Sequence, residues 1–268
     1  MIKDLGMTNI AAPSVVENVL TWDAHGKTVT VHAFSTTGEA GVYISGLISD
    51  ALKQAIDTRG KAQWIGCGGT TPKPIYQNLI HAELDWTKIT LAQVDERFVP
   101  VDDAASNTRM MREALAPVLA DDDHTGMTFL TLIQDITDQD ACAVKAEKTL
   151  LDLAGGDAPI FDFALMGMGP DSHYASIFPN NPVNAEVYTT ERLVLPVQPH
   201  SDGSEPALPR ITLSVPAINN SRRIVFYITG QTKLDALKAA SQNTDPYTSP
   251  IGAFLAQCPV PVEFVWAA

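Results

Sequence analysis

Short runs of apolar and β-branched residues recur along this chain. Between many of them, apolar positions return every three or four residues. The runs predict strands at 28–34, 62–65, 89–94, 127–132, 160–166, 193–197, 210–214, 224–229 and 262–265. Helical periodicity covers 39–56, 108–119, 141–153 and 232–240. Ser106 and Asn107 are good caps ahead of 108–119, Gly155 and Gly156 end 141–153, and Gly230 leads directly into 232–240. Alternating strands and helices predict an α/β fold with a mostly parallel central sheet flanked by helices. The stretch 189–218 is less regular and richer in strands. It predicts a smaller strand-rich insertion, roughly 180–218, in the C-terminal part of a single α/β domain spanning 1–268. The loop 199–209, with Gly, Ser, Asp and Pro throughout, is the expected mobile connection.

Composition narrows the class. The 268 residues are 45% hydrophobic and 18% charged, ample for a packed core. No apolar run approaches the roughly 20 residues of a membrane span. The first 20 residues lack a basic region followed by an apolar core, so a cytoplasmic protein is expected. A net charge of −13 disfavours nucleic acid and anionic membrane as partners. An anionic small molecule would need a site that gathers its own cations and backbone N–H groups. Nothing in the sequence separates a monomer from a homodimer.

Cys67, Cys142 and Cys258 form no CxxC pair and no zinc spacing. Cys67 lies in a glycine-rich turn where a nucleophile is conceivable, but a small buried thiol is the commoner role. His25, His32, His81, His124 and His200 show no metal-ligand pairing, so neither metal nor cofactor is expected.

Four motifs carry candidate chemistry, each at the expected carboxyl end of a strand, where open α/β sheets bind ligands. In "WIGCGGTTPKPIYQNL", Gly68, Gly69 and Thr70 follow a strand and precede a helical pattern. Such a turn suits a phosphate, because glycines admit a ligand close to the backbone and a helix start attracts anions. It equally suits a plain strand-to-helix turn. In "QVDERFVPVDDAASNTRMM", Asp95, Glu96 and Arg97 stand where charges reach a ligand above the sheet edge, and Arg97 offers a bidentate fork. A surface salt-bridge cluster has the same appearance. In "GMGPDSHYASIFP", Asp171 and His173 follow a strand, and a histidine there can take a proton from water. A third glycine and an acidic partner are missing, which discounts a dinucleotide loop. In "ITGQTKLDAL", Lys233 opens a helix and offers a point charge, or is an ordinary exposed lysine.

In this order, the motifs resemble the 6-phosphogluconolactonase family, whose fold is shared by glucosamine-6-phosphate deaminases and ribose-5-phosphate isomerases. The family's GGSTP-type turn is matched by Gly68-Gly69-Thr70-Thr71-Pro72. Its DERxVP segment and following SN are matched by Asp95 to Pro100 and Ser106-Asn107, and its GxGxDGHTASLFP loop by Gly167 to Pro179. Its RITL strand and TGxxK turn are matched by Arg210 to Leu213 and Thr229 to Lys233. The resemblance spans about residues 25 to 265 and implies hydrolysis of a phosphorylated sugar lactone without cofactor or metal. It implies His173 as general base, with Asp171 and Asp95 beside it. Gly68, Gly69, Thr70, Arg97 and Lys233 would hold the phosphate, with Arg210 either a second phosphate contact or a structural tie. Two positions depart from the pattern. Ser172 replaces a glycine, so a positive φ there would be strained. Tyr174 replaces a threonine and is expected to narrow the pocket or add a hydroxyl. A catalytically weak sugar-phosphate-binding protein and a deaminase-like isomerase are the alternatives.

Overall fold

The computed structural model describes residues 18–120, 125–199 and 206–268. Most of the 199–209 loop, together with His124 and His200, lies outside the described residues. An eight-stranded sheet forms the centre. In chain order its strands are β1 (Asn18–Ala24), β2 (Lys27–Phe34), β3 (Ala62–Gly66), β4 (Ile89–Gln93), β6 (Thr128–Leu130), β7 (Phe163–Gly167), β10 (Ile224–Thr229) and β11 (Val262–Ala267). Their spatial order is β1-β2-β11-β10-β7-β3-β4-β6, and every pair except β1–β2 is parallel.

Helices cover both faces, which is why the central strands read as nearly continuous apolar runs. Successive residues point to opposite sides. Phe163, Leu165 and Val225 join one core with Ile44, Ile48 and Leu52 of α1 (Thr37–Arg59) and Met111 of α3 (Asn107–Leu115). Ala164, Met166 and Phe226 join the other with Leu150 of α4 (Gln139–Leu153), Leu234 of α6 (Gln231–Ala240) and Phe254 of α7 (Pro250–Gln257). α1 is delimited by its own sequence. Thr36 and Glu39 form a reciprocal capping box, and Gly60 ends the helix at φ 77°.

The chain runs outward from β3 to β4 and β6, then returns to place β7 on the other side of β3 and continues outward to β10. The connections after β3 and β7 therefore leave the sheet in opposite directions. A crevice opens between them at the carboxyl ends of the strands.

The expected antiparallel piece is present as β8 (Val194–Val197) and β9 (Arg210–Leu213). It also recruits β5 (Asp95–Arg97) from the first half of the chain, in the order β5-β9-β8. Three residues carry too little periodicity to mark β5 as a strand. β1 is an edge strand paired with β2 through the His25-Gly26 turn, and it also escaped the sequence pattern. The helix expected over 108–119 stops at Leu115 and tightens into a 3₁₀ turn, Ala116–Val118, at Pro117. The strand expected from Ile160 begins at Phe163, because Ile160 is half exposed and Asp162 turns aside to Arg59 and Arg222. α5 (Val215–Asn219) and α7 were not anticipated. Both are short, and proline stands in the first turn of each.

Candidate active site

Four strand ends converge on one cleft of about 290 Å³. Its wall contains the turn of Gly68, Gly69 and Thr70 after β3, Asp95 and Arg97 of β5, Gly169 and His173 after β7, Arg210 of β9 and Lys233 of α6. Of the residues to which the family resemblance gave a catalytic or phosphate-binding role, Asp171 alone is absent from the wall, and it touches His173 from behind.

The turn after β3 is shaped by its glycines. A Cβ at Gly68 would lie 2.0 Å from Oδ1 of Asn107, so no side chain fits there. Gly69 has φ +98°, which favours glycine. Asn107 is fixed by donating from Nδ2 to the Asp95 carbonyl over 3.1 Å. Cys67 is buried, and burial followed by the nearby Asp95 charge pushes its thiol up to about 12. It is therefore a neutral thiol at physiological pH, as the commoner role predicts.

In the segment after β4, three adjacent charges have three separate destinations. Glu96 turns away from the cleft and is 1% exposed. Its carboxylate accepts main-chain N–H bonds from Arg97 (2.7 Å), Asn107 (2.8 Å) and Thr108 (2.6 Å). It also accepts from Gln93 Nε2, Ser106 Oγ and Thr108 Oγ1. Glu96 thus seats the first turn of α3 and reaches no ligand, which corrects the sequence reading. Asp95 faces the cleft and accepts a 2.6 Å hydrogen bond from Ser176 Oγ. Arg97 donates from Nη1 to the Ala105 carbonyl over 2.6 Å, while its buried Nε finds no partner among the described residues. An orphaned donor in a polar wall calls for a ligand or a water.

The loop after β7 holds the histidine rigidly. Asp171 Oδ1 lies 2.5 Å from His173 Nδ1 and 3.2 Å from the His173 main-chain N–H, which it accepts. Burial acts to raise the Asp171 pKa, but hydrogen bonds and charge from His173 outweigh it and leave the carboxyl below its ordinary value. An ionised carboxylate only accepts, so Nδ1 carries the proton, and Nε2 of the neutral ring keeps its lone pair. Gly169 packs against the ring, where a Cβ would come within 2.2 Å of Cε1. Ser172 does adopt positive φ, 71°, as do Ala175 at 48° and Asn180 at 59°. Three non-glycine residues in this region within one loop amount to stored strain around His173. Tyr174 does not narrow the cleft. It is fully buried in the core, with ring centroids 4.9 Å from Phe254 and 6.0 Å from Phe226.

The remaining cations differ in their surroundings. Arg210 is 4% exposed. Its Nη1 lies 3.8 Å from Asp95 Oδ2, its Nη2 donates to the Pro206 carbonyl, and its guanidinium sits 5.1 Å from the Phe178 ring centre. Burial lowers its pKa, and Asp95 opposes that. Lys233 stands in the first turn of α6, whose N-cap Gly230 supplies no side-chain cap. Burial lowers the Lys233 pKa, with Cys67 and Asp171 acting against it.

Comparison with known proteins settles the family. Residues 39–266 match the family model described as glucosamine-6-phosphate isomerases/6-phosphogluconolactonase. The 6-phosphogluconolactonase of Caulobacter vibrioides is 34% identical over 242 residues, covering 89% of this chain and 97% of that protein. The chain belongs to the 6-phosphogluconolactonase family. The Pseudomonas putida 6-phosphogluconolactonase is 30% identical over 244 residues, covering 89% of this chain and 93% of that one. A crystal structure of a 6-phosphogluconolactonase from Shewanella baltica superposes with TM-score 0.79 at 32% identity, over 89% of this chain and 97% of that one. The cleft thus lies in a fold that the whole family-matching region builds.

Two features of the site escaped the sequence. The inward turn of Glu96 had no signal beyond the spacing from Glu96 to Ser106-Asn107. The Ser176 bond to Asp95 joins residues 81 positions apart, which no local pattern reveals.

Proposed function

We propose that this protein hydrolyses 6-phosphoglucono-δ-lactone to 6-phosphogluconate, with His173 as general base. The observation that carries the proposal is the Asp171–His173 pair, in which Asp171 engages Nδ1 of a ring that lines the same cleft as Arg97, Arg210 and Lys233, so Nε2 is the nitrogen left for substrate. Nε2 takes a proton from a water as that water attacks the lactone carbonyl. Asp171 holds the ring in the tautomer this requires and stabilises the imidazolium that forms. The tetrahedral oxyanion develops within the positive field of the cleft. His173 then returns the proton to the ring oxygen as the C–O bond breaks. The turn of Gly68, Gly69 and Thr70 holds the phosphate together with Arg97 and Lys233, which gives an anion the local attraction that the acidic surface denies it. Arg210 ties Asp95 and Phe178 to the cleft, and Asp95 meets substrate hydroxyls. Ester hydrolysis by this route needs positioning, a base and oxyanion stabilisation.

The alternatives predict different behaviour. A binding-only protein would follow from the altered loop at Ser172 and Tyr174; burial takes the bulk of Tyr174 out of the cleft, while Ser172 keeps its positive φ. An isomerase-like activity would use glucosamine 6-phosphate. The test is hydrolysis of phosphorylated and unphosphorylated gluconolactone, alongside release of ammonia from glucosamine 6-phosphate. The proposal expects turnover of the phosphorylated lactone, and a KM raised about 10-fold or more in Arg97→Ala, the loss of one charge-assisted contact. Ammonia release without lactone hydrolysis would overturn it.

A further inference from the structure

The imidazole of His173 is held at two edges, by Asp171 at Nδ1 and by Gly169 at Cε1. Its face is held by a third group. The Phe178 ring lies against it at a tilt, with centroids 4.4 Å apart and planes 30° apart. Phe178 is 2% exposed, so its ring cannot swing away. It carries the Arg210 guanidinium 5.1 Å from its centre, and Arg210 in turn neighbours Asp95. An imidazole held only at Nδ1 can still pivot about that hydrogen bond and carry Nε2 out of the cleft. A flat ring against its face removes that freedom.

We propose that Phe178 is a positioning residue for His173: its flat ring, immobilised beneath Arg210, holds the imidazole in the plane that keeps Nε2 facing the substrate. The inference rests on the assignment of His173 as base. Phe178 touches no reacting atom and does not line the cleft. The phosphate is assigned to the Gly68–Thr70 turn, Arg97 and Lys233, while Arg210 keeps its contacts to Asp95 and Pro206. Removal of Phe178 therefore acts chiefly on turnover. A displacement of about 1 Å at a reacting group costs on the order of 100-fold in rate.

The experiment compares native protein with Phe178→Leu, Phe178→Met and Phe178→Tyr. Steady-state hydrolysis of the lactone is paired with 6-phosphogluconate affinity and the proton NMR shift of the His173 ring. In the two non-aromatic variants kcat falls about 10- to 100-fold, while KM and product affinity stay within about twofold. The upfield ring-current displacement of the His173 Hε1 signal disappears with it. Phe178→Tyr keeps the flat ring and restores most of both. Preserved product affinity shows that the variants are folded. A Phe178→Leu enzyme as fast as Phe178→Tyr, or one in which KM rises as much as kcat falls, would overturn the positioning role. Absence of turnover in native protein would instead overturn the proposed reaction beneath it, so the two failures are distinguishable.

Discussion

Glu96→Gln replaces one acceptor oxygen by a donor where three main-chain N–H groups converge. The cost follows from where the new amide nitrogen is placed. At the Oε1 position it faces the N–H groups of Arg97 and Asn107, 2.7 and 2.8 Å away. At the Oε2 position it faces the Thr108 N–H at 2.6 Å and Gln93 Nε2 at 3.0 Å. The hydroxyls of Ser106 and Thr108 can rotate to accept, but the N–H donors cannot. Either placement strands two buried donors, each worth about 1–3 kcal/mol. The expected loss is therefore about 2–6 kcal/mol, from a substitution that changes almost no volume. Urea denaturation at neutral pH reads it as a lower midpoint at unchanged slope. Ser106→Ala serves as a mild comparison, since it removes one cap of about 1 kcal/mol. A Glu96→Gln loss below about 1 kcal/mol would refute this reasoning. So would a variant with native stability and lost activity, which would place Glu96 in the substrate's path.

Other substitutions and conditions test separate parts of the account. Ser172→Gly relieves positive-φ strain and should raise stability by about 0.5–1 kcal/mol, whereas Ser172→Val, β-branched at φ 71°, should lower it by more than about 1 kcal/mol in the same denaturation assay. Because the folded-state pKa of Asp171 lies below its ordinary value of 3.8, its contribution to stability is full above that value. It is lost as pH falls through the folded-state pKa, so the stability gap between native protein and Asp171→Asn should close in acid. Lys233 loses its proton at a lower pH than an ordinary lysine, through burial first, so 6-phosphogluconate binding should weaken with rising alkalinity in native protein. Calorimetric titration across that range should show a flatter profile in Lys233→Arg, since arginine stays charged.

The sheet strands were legible in the sequence because a parallel sheet buried on both faces demands unbroken apolar runs, as in "FALM" and "IVFYIT". The grouping of the candidate residues was legible as well, because they cluster just past those runs, where backbone turns require glycine. What stayed hidden is tertiary in origin. β5 is a strand only because β9 pairs with it from 115 residues downstream. Tyr174 looked like a cleft residue beside His173, yet the positive φ of Ser172 and Ala175 on either side lets the chain turn its ring into the core. Glu96 sits between two cleft residues and points the other way. This is the alternation that every strand imposes, carried by an element too short to announce itself. Phe178 reads as an ordinary apolar residue until its ring is seen against the imidazole.

The most direct test of the central claim is hydrolysis of freshly generated 6-phosphoglucono-δ-lactone, corrected for spontaneous opening, by native protein and by His173→Ala at equal concentration. The account predicts turnover in the native protein and a rate at background in the variant, with 6-phosphogluconate still raising the melting temperature of both. Equal turnover by the two proteins would contradict the assignment of His173. Background rates from both, with product still bound, would contradict the proposed reaction itself.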